Sequence, residues 1–191
     1  MPRAGLDPAV VTAAAADLAD ETGLAQVSMS AVAERLGVRA PSLYKHVGGL
    51  DDLVDRIAVL AATEVADEVG RATQGRAGID ALGAAAHAFR SYVRAHPGRY
   101  AATVGPRASA PDAPDAAAAA LRGALDPFTA VLRGYDLPEA ELVHALRTFR
   151  SMLHGFATLE TGGGFRLSED VDASFAWVVA FLDEGFRRSR S

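Results

Sequence analysis

Apolar positions in this chain fall into helical stripes, and one short pair of stripes is unlike the rest. Met29, Val32, Ala33 and Leu36 lie at i, i+3, i+4 and i+7, one face of a helix two turns long. Ser28 precedes them, placed to accept a hydrogen bond from a first-turn N–H. Gly37 follows, able to take the left-handed backbone that ends a helix and turns the chain. A second helix is predicted over residues 40–47, opened by Pro41, whose missing N–H costs nothing in a first turn. Leu43 and Val47, four apart, face inward, while Arg39, Ser42, Lys45 and His46 project from the other side with Tyr44 at the flank. Helix, tight turn and helix over about residues 29–48 is the sequence form of a helix-turn-helix.

The remaining pattern is helical almost throughout. Asp7-Pro8 starts a first helix that stops near Gly23. A connecting helix spans about 50–69, with Leu53, Ile57 and Leu60 as its buried stripe and Asp51 and Asp52 at its positive end. Residues 70–78 read as a linker. A helix over 79–95 is halted by His96-Pro97-Gly98, a short one surrounds Tyr100, and residues 105–114, with three prolines, form a loop. Residues 116–132 read as one helix. The last two helices span about 138–161 and 171–188. The first carries Leu142, Leu146, Phe149, Leu153 and Phe156 on one stripe, with His144, Thr148, Ser151, Gly155 and Thr158 on the next. The second buries Phe175, Val178, Leu182 and Phe186, but Trp177 and Phe181 make it apolar nearly all round, so it must be enclosed. A two-fold four-helix bundle made by two chains is the simplest enclosure, with His144, Thr148, Ser151, Gly155, Phe175, Val178 and Leu182 at the interface. The expected fold class is all-α, with about nine helices: a three-helix domain holding the helix-turn-helix (1–49), a connecting helix (50–69) and a larger helical, dimerising domain (70–191).

The outward groups of the second short helix suit a major groove. Arg39 can fork onto guanine O6 and N7, or onto phosphate. Ser42, Ala40 and Pro41 are short enough to touch bases or a thymine methyl, while Tyr44, Lys45, His46 and Ser28 can meet phosphate oxygens.

Residues 33–47, Ala-Glu-Arg-Leu-Gly-Val-Arg-Ala-Pro-Ser-Leu-Tyr-Lys-His-Val, resemble the DNA-binding core of the TetR (tetracycline-repressor) family, a likeness running from about Asp7 to Ile57. The resemblance implies that Ser28 and Tyr44 bind phosphate, that His46 binds phosphate or ribose, and that residues 39–42 with Lys45 meet bases. Such proteins usually open the helix after this motif with a lysine at the DNA backbone. Here Leu50 stands there after Gly48-Gly49, so that contact is expected to be lost or taken over by glycine N–H groups. Further on, Ser151-Met-Leu-His154-Gly155-Phe156, Leu159-Glu160, Gly163-Gly164-Phe165 and Ser174-Phe175 are similar to a TetR-type ligand domain named for a Trp-His-Gly motif, although Met152 and Leu153 precede the histidine and the tryptophan is absent.

Charge qualifies this picture. The formal net charge is −5, and residues 1–56 hold Arg3, Arg35, Arg39, Lys45 and Arg56 against eight carboxylates. Lys45 is the only lysine of the chain. A non-specific DNA coater would be strongly basic. Positive charge confined to one short helix instead fits a sequence-specific binder with a steep penalty for added salt. The chain has no cysteine, which removes disulfides and thiolate metal sites. It shows no basic-then-apolar leader, and its longest nearly apolar run, 173–182, is about half the ~20 residues that cross a bilayer, so a cytoplasmic location without membrane contact is expected.

Other chemistries gain little support. His87 and His96 fall on opposite helix faces, and His144 and His154 are also out of line, so no metal and no cofactor is expected. Gly162-Gly163-Gly164 lacks the Lys-Ser/Thr of a phosphate loop, and no Ser–His–acid set has supporting context, so the chain is not read as an enzyme. Glu160 continues the Leu153–Phe156 stripe and is expected to pair with Arg150 or Arg147. The expected function is a homodimeric, sequence-specific transcriptional repressor, released from a palindromic operator by a small, largely apolar ligand. Candidate lining residues for that ligand are Phe89, Tyr92, Tyr100, Phe128, Phe149 and Met152. The alternative is a ligand-free helical dimer serving protein interaction, with a vestigial first domain.

Overall fold

The computed structural model describes residues 6–104 and 115–189, the side chains of 115–117 excepted. Among them are nine α-helices: α1 (Pro8–Thr22), α2 (Met29–Arg35), α3 (Leu50–Thr73), α4 (Gly78–Ala95), α5 (Pro97–Val104), α6 (Asp115–Gly123), α7 (Asp126–Arg133), α8 (Glu139–Thr161) and α9 (Val171–Arg188). The proline loop expected at 105–114 lies outside the described residues.

Boundaries follow local chemistry. The Asp7 carboxylate accepts from the Val10 N–H at 2.8 Å and starts α1 with Pro8 inside its first turn. Ser28 Oγ accepts from the Ala31 N–H at 3.2 Å and starts α2. Three expected boundaries need correction. The connecting helix does not stop at 69 but runs through Gly70 to Thr73. Its Val65 and Val69 are buried, and that burial outweighs the ~1 kcal/mol cost of an interior glycine. The single helix expected over 116–132 is two, because Gly123 ends α6 and Pro127, which cannot sit in a helix interior, opens α7. The segment expected as a helix over 40–47 is a 3₁₀ turn at Ala40–Lys45. Pro41 offers no N–H, and the short stretch closes through i→i+3 bonds from Ser42 to Arg39 (2.9 Å) and from His46 to Leu43 (2.8 Å).

The chain forms two compact units, residues 1–64 with 96–123 and residues 65–95 with 124–191. Sequence order does not predict this grouping, since α5 belongs with the first unit. A core of α1, α2, the 3₁₀ segment and the start of α3 holds the first unit together, with Val11, Ala15, Val32, Leu43, Leu53 and Ile57 fully buried. Against it α5 lies very close to α1: a Cβ built on Gly98 would stand 1.8 Å from the Ala19 carbonyl oxygen. Arg99, 8% exposed, completes the joint. Its Nη2 donates to Asp17 at 2.7 Å, its Nε to Asp20 at 2.8 Å and its Nη1 to Glu64 at 3.2 Å, while its backbone N–H donates to Asp20 at 2.9 Å.

In the second unit the interior is aromatic. Phe89, Phe128, Phe149, Phe186 and Tyr135 meet edge to face in succession, with ring centroids 5.7–6.3 Å apart. Arg90 is the buried cation of this unit. It lies 4.7 Å from the Phe175 ring centroid and donates both to Glu160 (2.7 Å, bidentate) and to Asp172 (2.7 Å). The bond to Glu160 raises the Arg90 pKa above its usual value; burial opposes this and Asp172 adds to it. Glu160 therefore pairs with Arg90, and more distantly with Arg94 at 3.6 Å, rather than with Arg147 or Arg150.

Candidate nucleic-acid interface

The 3₁₀ segment owes its placement to two side chains. Leu43 is fully buried and Val47 is 3% exposed, both in the core of the first unit. With these two pointing inward, geometry sends Arg39, Pro41, Tyr44 and Lys45 outward, where all four are exposed. Ala40, Ser42 and His46 are half-buried at the margins. Tyr44 is 58% exposed. Ser28, at the start of α2, is half-buried, and because its oxygen accepts from Ala31 the hydroxyl proton is left to donate outward. The two short elements are fixed by the turn between them, where Gly37 takes φ +66° and the Val38 N–H donates to the Ala33 carbonyl at 3.0 Å.

Beyond Lys45 the chain turns through Gly48 and Gly49, the latter at φ +124°, into α3. The Gly48 N–H donates to Asp52 Oδ2 at 2.8 Å, and the same oxygen accepts from Arg56 Nε at 2.9 Å. Burial pushes the Asp52 carboxyl up, but these two bonds outweigh it and hold its pKa below the usual carboxylate range. The Gly48 amide is thus engaged by a carboxylate of its own chain. Leu50 itself is 39% exposed at the head of α3.

Elsewhere the predicted residues separate. Phe89, Tyr92, Phe128 and Phe149 are interior residues of the second unit, and Met152 is half-buried in it. Tyr100 is buried on α5, in the first unit. On α8, His144, Thr148 and Ser151 are exposed and Gly155 is half-buried. On α9 the expected interface residues differ in burial. Phe175 is fully buried and Leu182 is 2% exposed within their own unit, while Val178 is half-buried. The outward aromatics are Trp177 (66% exposed) and Phe181 (55%), stacked with centroids 5.4 Å apart. Helical spacing alone could not say which of two apolar stripes α4 and α8 would claim.

The joint around Gly98 and Arg99 and the Arg90 cluster were not foreseen. Their signal was faint: Arg90 falls on the Ala86–Phe89–Val93 side of α4, an arginine where an apolar residue would be expected.

Residues 11–57 match the model of the bacterial regulatory proteins of the tetR family, and residues 82–182 match the model of the tetracyclin repressor-like C-terminal domain. An uncharacterized HTH-type transcriptional regulator of Mycobacterium tuberculosis is 37% identical over 169 residues, covering 88% of this chain and 76% of the relative. Another, from Bacillus subtilis, is 31% identical over 178 residues, covering 93% and 91%. Among solved structures, a TetR variant of Acinetobacter baumannii in complex with minocycline superposes with TM-score 0.72 at 25% identity, covering 98% of this chain and 99% of that one. Members of this family are DNA-binding transcription regulators, not enzymes. With its paired short helical elements and both family matches, the chain belongs to the TetR family of transcription regulators.

Proposed function

We propose that this regulator is a homodimeric, cytoplasmic repressor that reads a pseudo-palindromic operator and is released by a small, largely apolar molecule. The observation that carries the DNA-reading part is the orientation of the 3₁₀ segment. Leu43 and Val47 occupy the core while Arg39, Pro41, Tyr44 and Lys45 stand outside it. Had those side chains been covered by their own unit, no groove could receive them. In this reading Arg39, Ala40, Pro41 and Ser42 meet base edges, Lys45 meets bases or phosphate, and Ser28, Tyr44 and His46 fix the register on the backbone.

Dimerisation is supported by the outer faces of α8 and α9. The stacked Trp177 and Phe181 lie exposed, and a hollow of about 240 Å³ opens between Phe181, Thr148 and His144. A contiguous apolar patch of this kind is costly in water and is covered cheaply by its two-fold copy. A dimer would set two recognition segments about 34–36 Å apart, one helical turn of DNA.

For release, an effector needs to bind the form unable to match that spacing more tightly, typically by ~1–3 kcal/mol. The aromatic interior of the second unit favours an apolar effector, and the minocycline-bound relative supports small-molecule binding in this fold. On this reading residues 1–49 bind DNA, 50–69 connect, and 70–191 serve ligand binding and dimerisation. In the same reading the second half is of the Trp-His-Gly type, which its Ser151–Phe156 segment resembles. An electrophoretic shift on the promoter beside its own gene, followed by a footprint, tests the proposal. A protected two-fold site at low salt is expected, and absence of any shift there refutes it.

A further inference from the structure

Two glycines in a row, Gly48 and Gly49, link the 3₁₀ segment to α3, and glycine backbones have the widest conformational freedom. The link is anchored on both sides. Before it, Val47 is 3% exposed in the core and its N–H donates to the Leu43 carbonyl at 3.0 Å. After it, α3 opens with the Leu53 N–H donating to the Gly49 carbonyl at 3.1 Å. Packing does not lock the space between. A Cβ built on Gly48 would meet nothing nearer than the Asp52 Cβ at 3.5 Å, and one built on Gly49 would meet nothing within 4 Å. The Gly48 N–H donates instead to a side chain on the first turn of α3, Asp52 Oδ2 at 2.8 Å. That carboxylate is itself held, because Arg56 Nε, one helical turn further on, donates to the same oxygen at 2.9 Å.

We propose that Asp52 is a positioning residue for DNA reading, its carboxylate holding the Gly48–Gly49 link in the geometry that presents Arg39, Tyr44 and Lys45 to the groove. This rests on the reading of the 3₁₀ segment given above. The charge of Asp52 has the wrong sign for contact with phosphate, so its contribution acts through the backbone it holds. Arg56 keeps the carboxylate turned toward the link. Without the bond to Gly48 the link populates several geometries, and apparent affinity falls with the fraction that remains competent.

Asp52→Ala and Asp52→Asn remove the same charge, and only the second keeps an oxygen within reach of the Gly48 N–H. Comparing the two full-length variants therefore isolates the hydrogen bond. In a shift assay on the duplex footprinted with the parent, Asp52→Ala is expected to bind about three- to tenfold more weakly than Asp52→Asn, the span of one neutral hydrogen bond. Amide exchange in the DNA-free protein, followed by NMR, supplies a local readout. The Gly48 amide is expected to exchange faster in Asp52→Ala than in Asp52→Asn, while the Val47 amide stays protected in both. Equal affinities, or equal Gly48 exchange, would overturn the proposal. So would an affinity loss accompanied by loss of Val47 protection, which would mark Asp52 as a support of the core alone. A parent protein that shifts no DNA would instead count against the DNA-reading assignment of the segment, a failure distinct from any difference between the two variants.

Discussion

Arg39 shows how much of the chemistry of this protein rests on single side chains. It stands at the start of the 3₁₀ segment, exposed, where its guanidinium is free to fork onto one guanine. Arg39→Ala is expected to relax preference at one base pair per half-site by ~1–3 kcal/mol, seen by titrating single-base operator variants. An equal loss on every variant would make Arg39 a backbone clamp instead. Tyr44 and Ser28, proposed to hold phosphate, read no sequence in that role, so their loss is expected to lower affinity uniformly. In the neighbouring turn the Gly48 amide faces a carboxylate of its own chain, Asp52. The outward exposure of Arg39, Pro41, Tyr44 and Lys45 was legible from the sequence because burial of Leu43 and Val47 fixes which sides of the segment face out. The internal engagement of Gly48 was not, since a turn's hydrogen bonds depend on coordinates that no spacing rule supplies.

Helices meet in this protein at two joints that the helical pattern does not announce. At the first, α5 presses its backbone on α1 at Gly98, and any side chain there collides with the Ala19 carbonyl. Gly98→Ala is expected to cost more than the ~1–3 kcal/mol of ordinary overpacking, because the obstacle is backbone rather than a movable side chain. Urea unfolding should show this as a lower midpoint, and an unchanged midpoint would mean that α5 can back away freely. At the second joint, Arg90 of α4 ties Glu160 of α8 to Asp172 at the head of α9. Arg90→Met strands the largely buried Glu160 carboxylate and is expected to cost about 3 kcal/mol. Arg90→Lys should recover only part of that, because an ammonium lacks the two-pronged fork. Stability of Arg90→Met equal to that of the parent would show the cluster to be dispensable.

For the molecule as a whole, the exposed aromatic face of α9 and the titration of a half-buried histidine give two measurable properties. Trp177→Glu with Phe181→Glu is expected to leave a folded monomer by analytical ultracentrifugation, since both side chains lie outside the core of their unit. A doubly substituted protein that still sediments as a dimer would move the interface elsewhere. His154 has its pKa lowered, first by burial and then by the charge of Arg150. A depressed histidine pKa means that the folded state takes up its proton less readily than the unfolded chain. Its contribution is therefore present above about pH 6.5 and is lost as pH falls through the lower folded value. Thermal melts of the parent should show stability declining over that acidic interval, and His154→Gln should flatten the decline. An identical pH profile in the variant would assign the slope to other groups.

The sequence by itself determined what repeats locally: the helical periods, the caps at Asp7 and Ser28, the breaks at glycine and proline, and the inward pair that turns Arg39, Tyr44 and Lys45 outward. These depend on neighbours within a turn or two, which the chain states directly. Tertiary structure decided which of two apolar stripes on α9 is core, that Glu160 reaches Arg90 across seventy residues, and that α5 joins the first unit through Gly98 and Arg99. Each is a choice among partners of similar chemistry, settled by which surfaces fit at van der Waals distance rather than by any residue's own preference.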